Sequence, residues 1–235
     1  IWWLLGIPVF FGLGWIAARV DIKKLLSESR SLPSGYFKGL NFLLNEQPDK
    51  AIDAFIEIVK LDPETVELHF ALGSLFRRRG ETERAIRVHQ NLLARPDLPQ
   101  DHRLQALFEL GQDYLKAGLL DRAEETFNQL LETSYGAQAQ RALLEIFQRE
   151  KEWPRAIEAA QGLQQSGAGG RQKEIAQFYC EMAQDELVHT HLDAALVLLE
   201  KALATDRKNV RATLLIGDVA QAKGDLEGAL LAWRR

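Results

Sequence analysis

The residues of this sequence best suited to chemistry are histidines, and two of the five stand close together. His189 and His191 are separated by one residue in a predicted turn, a spacing that would let both imidazoles touch one metal ion. No cysteine or nearby third ligand supports such a site, so the pair is more consistent with an ordinary turn. We therefore expect no metal ion and no other cofactor in this chain.

A single thiol and one glycine-rich stretch are the other chemical candidates. Cys180 falls on a predicted helix with no identifiable group that would activate it, so we interpret it as a structural thiol. Residues 167–170 (GAGG) resemble a phosphate-binding loop only in their glycines, and no strand precedes them. The sequence also lacks HExxH, GxSxG, GxxxxGK[ST] and GxGxxG. These observations favour a protein that binds over one that catalyses, and we predict no enzymatic activity.

Composition narrows the classes of partner. The chain has 235 residues, 46% of them hydrophobic, which is enough to bury a sizeable core. Its formal net charge is −4, so no excess of positive charge indicates nucleic acid. The single cysteine excludes an intramolecular disulfide and any multi-cysteine metal site within the chain.

Small residues recur with a period close to 34 residues. Alanines separated by 34, 38, 33, 39 and 34 residues stand at Ala51, Ala85, Ala123, Ala156, Ala195 and Ala229. A glycine precedes several of these alanines at a fixed distance, as at Gly73 and Gly111, and an aromatic residue often follows four residues later, as at Phe127. This is the tetratricopeptide pattern, in which each unit of about 34 residues forms a helix–turn–helix hairpin.

The pattern predicts an all-α fold, a tetratricopeptide-repeat superhelical solenoid of about six repeats with the last truncated, so we expect the protein to continue beyond Arg235. The array spans 35–235, in repeats at about 32–65, 66–99, 104–137, 137–170, 176–209 and 210–235. The interval between repeats is longer than 34 residues at two places, near 96–101 and 166–172. Such insertions would change the local twist or extend a helix. Leu144 replaces the glycine of the fourth repeat and predicts a wider hairpin, whereas His69 and His89 occupy positions of large core residues.

The first 18 residues carry no charged side chain. As a helix, IWWLLGIPVFFGLGWIAA would span roughly 27 Å, close to the thickness of a bilayer's hydrocarbon core. We predict a transmembrane anchor over 1–20 and a juxtamembrane linker over 21–34. The anchor's interfacial aromatic and flanking basic residues are Trp2, Trp3, Trp15, Arg19, Lys23 and Lys24.

The basic residues follow the apolar segment, so the positive-inside rule places the repeats in the cytoplasm. A cleaved signal peptide is an alternative, but it would carry its charges before the apolar stretch. A buried core helix is a second alternative, which would keep polar positions that this segment lacks.

The first helix of each repeat is expected to line a concave groove that binds protein partners. Exposed aromatic residues interleaved with charged and amide side chains suit a peptide or protein ligand. The candidate partner-binding residues are Phe70, Arg77, Arg78, Phe108, Gln112, Lys116, Arg141, Glu145, Arg149 and Gln184. The alternative for each is a solvated helix face with ion pairs between repeats.

Several stretches of the sequence resemble a known family more closely than the general repeat pattern alone would require. They are GLNFLL at 39–44, LGSLFRRRGETERAIRVHQ at 72–90, LGQDYLKAGLLDRAEETFNQL at 110–130 and EIAQFYCEMA at 174–183. Together with the two stretched gaps, they closely resemble the lipopolysaccharide assembly protein B family of bacterial inner-membrane tetratricopeptide proteins. The resemblance runs essentially from Ile1 to Arg235.

This resemblance implies an inner-membrane protein with a single N-terminal anchor and a cytoplasmic repeat array. It also implies a C-terminal rubredoxin-like zinc module with paired CxxC motifs, which this chain does not contain, and Cys180 is not part of one. The implied function is control of lipopolysaccharide synthesis. The family is understood to promote degradation of the lipid A pathway's deacetylase by the membrane protease FtsH, and another inner-membrane protein antagonises it.

Two functional hypotheses follow. The first is a membrane-anchored cytoplasmic adaptor that holds a client near a membrane protease. The second is a membrane-tethered periplasmic assembly factor or chaperone for envelope or cytochrome maturation. Under the first, reversing the charges of Arg77 and Arg78 is expected to weaken client capture without unfolding the array.

Overall fold

A computed structural model of the chain describes residues 34–234 apart from 46, 62–64 and 166–169. The described residues form twelve α-helices and no strand, as the repeat pattern predicted. The helices are α1 (Ser34–Leu44), α2 (Pro48–Leu61), α3 (Val66–Arg78), α4 (Thr82–Leu93), α5 (Gln100–Ala117), α6 (Leu120–Asn128), α7 (Gly136–Arg149), α8 (Trp153–Gln165), α9 (Gln172–Val188), α10 (Leu192–Thr205), α11 (Val210–Ala222) and α12 (Leu226–Trp233).

The predicted membrane anchor over 1–20 lies outside the described residues, and so do residues 21–33 of the linker predicted over 21–34. So do the six residues assigned to the anchor, Trp2, Trp3, Trp15, Arg19, Lys23 and Lys24. Among the helices that the structure describes, none combines the length and the apolar character needed to cross a bilayer.

Two compact units divide the chain, Ile1–Leu75 and Phe76–Arg235. In the first unit, α1 and α2 form a hairpin whose close packing depends on a glycine. A Cβ added to Gly39 would lie 2.5 Å from the Phe55 ring, so a larger residue there would force the helices apart. Ala51 and Phe55 are buried on the facing side of α2, as expected for the small and large positions of the repeat.

In the second unit, odd-numbered helices are the first helices of their repeats and even-numbered helices the second. The hairpins α5–α6, α7–α8, α9–α10 and α11–α12 stack in sequence, because each second helix also packs against the first helix of the next repeat. First helices contact each other directly, α5 with α7 and α9 with α11. This stacking places a row of first-helix residues on one side of the unit.

The small–large pairing is reversed in the fourth repeat. A Cβ on Gly111 would lie 2.7 Å from the Phe127 ring, sixteen residues later in the sequence. At the corresponding positions of the fourth repeat, Leu144 and Ala160 are both buried in one apolar cluster. The large residue therefore belongs to the first helix and the small one to the second, so this packing does not require the wider hairpin that Leu144 predicted.

At the two places where the repeat interval is longer, the inserted residues extend the first helix of the next repeat. α5 has 18 residues and α9 has 17, whereas α7 has 14 and α11 has 13. As a result α5 begins at Gln100 and α9 at Gln172, each four residues before the repeat start expected from the sequence. Of the two effects expected from these insertions, the structure shows helix extension.

Candidate partner-binding groove

An open depression of about 370 Å³ lies between the first helices of the second unit. The C-terminal end of α3, the middle and end of α5, and the end of α7 form its walls. Its lining residues are Arg77, Arg78, Gln112, Leu115, Lys116, Glu145 and Arg149, six of which the sequence had predicted. We call this depression the groove.

Arg77 is held by a network that reaches into the core. Its Nη2 donates to Glu109 Oε2 at 2.5 Å, and its Nη1 donates to Asp113 Oδ1 at 2.7 Å. Asp113 is fully buried, and His89 Nδ1 donates to its second oxygen at 2.5 Å. Desolvation lowers the pKa of Arg77, but the hydrogen bonds and charges of the two carboxylates outweigh it and raise the pKa. Within the second unit, Arg77 therefore braces the C-terminal end of α3 against α5.

His89 is a fully buried core histidine, as its position in the repeat predicted. Its partner, Asp113, was not predicted from the sequence. The available signal was an acidic residue inside the core-facing run of α5, between the buried residues Gly111 and Tyr114. A charge at such a position needs a buried partner, and the structure supplies His89 and Arg77.

Arg149 is less firmly held. Its Nη2 donates to Glu145 Oε1 at 2.5 Å one turn earlier in α7, and both side chains are 49% exposed. Its Nη1 makes a long contact of 3.4 Å with the carbonyl oxygen of Leu115. This cation is bound to the groove wall but remains accessible to a ligand.

Arg78 and Lys116 are the accessible cations of the groove. Both are exposed, and neither has an ion-pair partner among the residues that the structure describes. Gln112 is partly buried between them in the lining. In the groove, carboxylates neutralise the charge of Arg77, and Arg149 shares its charge with Glu145. The two remaining cations, Arg78 and Lys116, are available to an incoming anion.

Two aromatic residues expected to be exposed are not. Phe70 is buried, and Phe108 is partly buried against Phe127 and Tyr135, with ring centroids 5.8 and 5.3 Å apart. The expectation of large exposed Phe side chains was therefore wrong, because both rings serve the packing of the repeats. Among the described residues that line the groove, none is aromatic.

The remaining candidates also lie outside the groove. Arg141 is exposed on α7, two turns before Arg149. Gln184 accepts a hydrogen bond of 2.6 Å from Arg211, which also pairs with Glu181. Gln184 thus takes part in a contact between neighbouring repeats, which is the alternative to partner binding for these candidates.

The residues that were considered for metal binding or thiol chemistry lie in environments that are common for structural residues. His189 and His191 are exposed, and His191 Nδ1 donates to Glu186 at 2.7 Å. No group of three or more potential metal ligands occurs in the part of the chain that the structure describes. Cys180 is fully buried, and burial raises its pKa to about 11, as for a structural thiol. Residues 167–169 of the glycine-rich stretch 167–170 lie outside the described residues.

Comparison with known proteins defines the class. The tetratricopeptide repeat family model matches residues 38–99, 108–171 and 180–235, and the chain belongs to the tetratricopeptide-repeat family. A solved tetratricopeptide repeat protein from Parabacteroides merdae ATCC 43184 has the same fold. It is 15% identical, with a TM-score of 0.51 over 85% of this chain and 90% of that one.

Closer relatives confirm the resemblance found in the sequence. The chain is 42% identical over 231 residues to Lipopolysaccharide assembly protein B of Escherichia coli (strain K12), covering 97% of this chain and 59% of the relative. It is 34% identical over 234 residues to the protein of the same name from Haemophilus influenzae (strain ATCC 51907 / DSM 11121 / KW20 / Rd), covering 95% and 59%. The chain thus spans about three fifths of the length of these relatives.

Proposed function

We propose that this protein is an adaptor that binds other proteins during lipopolysaccharide assembly. The observation that carries the proposal is the 42% identity to a lipopolysaccharide assembly protein across 97% of the chain. The fold supports it, since stacked helical hairpins offer extended surfaces for protein ligands and each hairpin contacts only its neighbours. The groove between α3, α5 and α7 is the surface we assign to binding.

The finer proposal concerns place and partners. The protein is anchored in the inner membrane through 1–20 and presents its repeats to the cytoplasm. It binds the lipid A pathway's deacetylase and holds it near FtsH, and another inner-membrane protein opposes it. These partners follow from the family resemblance. Confinement to one membrane raises the effective concentration of client and protease, so weak contacts suffice and the chain needs no cofactor or chemistry of its own.

Crosslinking in living cells tests the adaptor. The intact membrane protein is crosslinked in cells, and its partners are identified by mass spectrometry, for wild type and two double variants. Arg78→Glu/Lys116→Glu reverses the accessible cations of the groove, whereas Arg207→Glu/Lys208→Glu makes the same change of charge in the exposed turn before α11.

We expect the wild type and the turn variant to capture the deacetylase or FtsH, and the groove variant to lose the deacetylase. The half-life of the deacetylase, measured after synthesis is stopped, should lengthen in the groove variant alone. Absence of both proteins from the wild-type crosslinks would reject the adaptor proposal.

A topology reporter tests the location. A reporter fused after residue 235 is expected to be active only as a cytoplasmic fusion, and cysteine-directed reagents that do not cross the inner membrane should not reach the repeats. A periplasmic signal would instead support the envelope assembly factor and would reject the cytoplasmic adaptor.

A further inference from the structure

Three cations of the groove occupy one repeating position. Arg78, Lys116 and Arg149 each lie five residues after the packing position of a first helix, in three consecutive repeats. The same position holds Val188 in the fifth repeat and Ala222 in the sixth. We call Arg78, Lys116 and Arg149 the cation row. The cation row is confined to the three repeats whose first helices line the groove. It is therefore a feature of this one surface and not of the whole array.

The charges around the cation row show which positive charge is available. Arg77 is neutralised by Glu109 and buried Asp113, and so does not belong to the row. Arg149 shares its charge with Glu145, whereas Arg78 and Lys116 have no acidic neighbour within ion-pair distance in the described part of the chain. The groove therefore offers a spaced series of cations rather than one concentrated patch.

The spacing of the row defines the shape of a complementary ligand. First helices of neighbouring hairpins pack with axes about 8–10 Å apart. A peptide in the extended polyproline II conformation has three residues per turn and advances about 3.1 Å per residue, so carboxylates placed every third residue lie on one side and recur at about 9 Å. A segment with Asp or Glu at i, i+3 and i+6 would meet the three cations in order.

We propose that the groove binds an extended acidic segment of a protein partner, with carboxylates at three-residue intervals facing Arg78, Lys116 and Arg149. This inference rests on the proposed adaptor function and names the chemistry of its ligand. Arginine suits this task because its guanidinium pairs with carboxylates in a bidentate geometry. The missing exposed aromatic anchor is consistent with a ligand recognised by charge and spacing.

An anionic membrane surface is the less favourable occupant. Glu145 lines the groove and Glu109 lies beside it, and both would be brought against lipid phosphates if a bilayer covered the row. A narrow peptide can place its carboxylates on the cations and avoid these two acids. The net charge of −4 also disfavours broad attraction to a negative surface.

Peptide binding to the intact protein in lipid nanodiscs tests the proposal. The probe is a fluorescent nine-residue Gly/Ser peptide with Glu at positions 2, 5 and 8, followed by fluorescence anisotropy. A control peptide carries three consecutive Glu residues and therefore has the same composition and charge. We expect the spaced peptide to bind at least about threefold more tightly, because each aligned exposed ion pair contributes up to about fivefold in affinity.

Matched variants assign the binding to the row. Arg78→Ala and Lys116→Ala should each weaken the spaced peptide about threefold, and the double variant about tenfold, consistent with exposed charge pairs. Arg207→Ala/Lys208→Ala should leave the affinity unchanged. Equal affinity for both peptides, or an unchanged affinity in the groove double variant, would overturn the proposal. Circular dichroism of each variant verifies that its helices are intact.

Two further arms separate the alternatives. In nanodiscs of phosphatidylcholine alone and of phosphatidylcholine with phosphatidylglycerol, we expect the same peptide affinity. Displacement of the peptide by phosphatidylglycerol in wild type but not in the groove double variant would assign the row to the membrane and overturn the proposal.

Crosslinked capture of the deacetylase that survives loss of the row rejects the acidic ligand for this client but leaves the adaptor standing. Peptide binding without capture of any pathway protein leaves the ligand chemistry standing and rejects the adaptor.

Discussion

Arg77 and Arg78 are neighbours in α3, but they face different surroundings. Arg77 pairs with Glu109 and with Asp113, whose side chain is fully buried, whereas Arg78 is exposed. Reversing the charge of both residues would therefore combine two effects, a destabilised core and an altered groove. The structure revises the expectation that this double reversal spares the fold, and it makes the two single variants a matched pair.

We predict that Arg77→Glu destabilises the protein and Arg78→Glu does not. The new carboxylate of Arg77→Glu would lie against Asp113 and Glu109, and breaking a buried ion pair costs about 3–5 kcal/mol. We place the loss near 3 kcal/mol, since Arg77 is only partly buried. An exposed substitution such as Arg78→Glu usually changes stability by less than about 0.5 kcal/mol. Urea unfolding followed by circular dichroism measures both, and equal midpoints would contradict the bracing role.

Cys180 should behave as a protected thiol. Burial raises its pKa to about 11, partly offset by the charge of Arg211, and its Sγ lies 3.7 Å from Asn209 Oδ1. We predict no labelling by iodoacetamide at pH 8 in the folded protein and rapid labelling in denaturant. Rapid labelling of the folded protein would contradict the buried environment.

The same shift predicts a pH dependence of stability. A thiol whose folded pKa is raised from 9.0 to about 11 stabilises the fold while it is protonated, and this contribution is lost as the pH rises through that window. Cys180→Ala lacks the titrating group, so it should lose less stability than wild type between pH 9 and pH 11. Parallel losses in the two proteins would exclude a contribution from the thiol.

At the scale of elements, one turn recurs at the end of five first helices. The residue in the left-handed conformation is Gly80 (φ 80°), Gly118 (φ 76°), Lys151 (φ 57°), Thr190 (φ 62°) or Gly224 (φ 82°). The next backbone N–H donates back into the last turn each time, as from Leu119 to Tyr114 O at 2.9 Å and from His191 to Glu186 O at 2.9 Å. The fourth and fifth repeats therefore keep the turn without its glycine.

We predict that Thr190→Gly and Lys151→Gly stabilise the protein. The left-handed region costs a side-chain-bearing residue about 1–2 kcal/mol, and the added entropy cost of glycine offsets part of that. The net gain should be about 1 kcal/mol at β-branched Thr190 and about half of that at Lys151. Lys201→Gly, within the helical part of α10, is the control and should lose about 1 kcal/mol. A lower thermal midpoint for Thr190→Gly would contradict the strained turn.

At the scale of the whole molecule, local patterns could be predicted from the sequence, whereas the side chains that contact each other across helices could not. The period of the alanines, the turns at Gly80, Gly118 and Gly224, and the buried position of His89 all follow from spacing. The network that joins His89, Asp113 and Arg77 does not, because its members come from three helices in two repeats. Burial of Phe108 likewise depends on where Phe127 and Tyr135 lie.

Two apolar clusters of different character can be compared among the described residues of the second unit, and both include residues of α9. The larger cluster joins α5 to α9 and buries Phe127, Leu143, Ile146 and Phe147 among others. The second joins α9 to α11, and five of its eight buried members are alanines. A buried Leu or Phe contributes about 1.5–3 kcal/mol, and alanine buries far less area, so the second cluster stabilises its helices less.

We predict a gradient of local stability along the array. Stacked repeats derive their stability from each hairpin and its neighbouring interfaces, so a weaker cluster opens without unfolding the rest. Amides of α10 and α11 should exchange hydrogen faster than those of α7 and α8 in hydrogen–deuterium exchange on the intact protein. Ala202→Val, placed in the second cluster, should perturb α10 and α11 and leave α7 and α8 unchanged, because the added methyl groups meet only the neighbouring side chains. Uniform protection across the four helices would show that the two clusters unfold as one and would contradict the gradient.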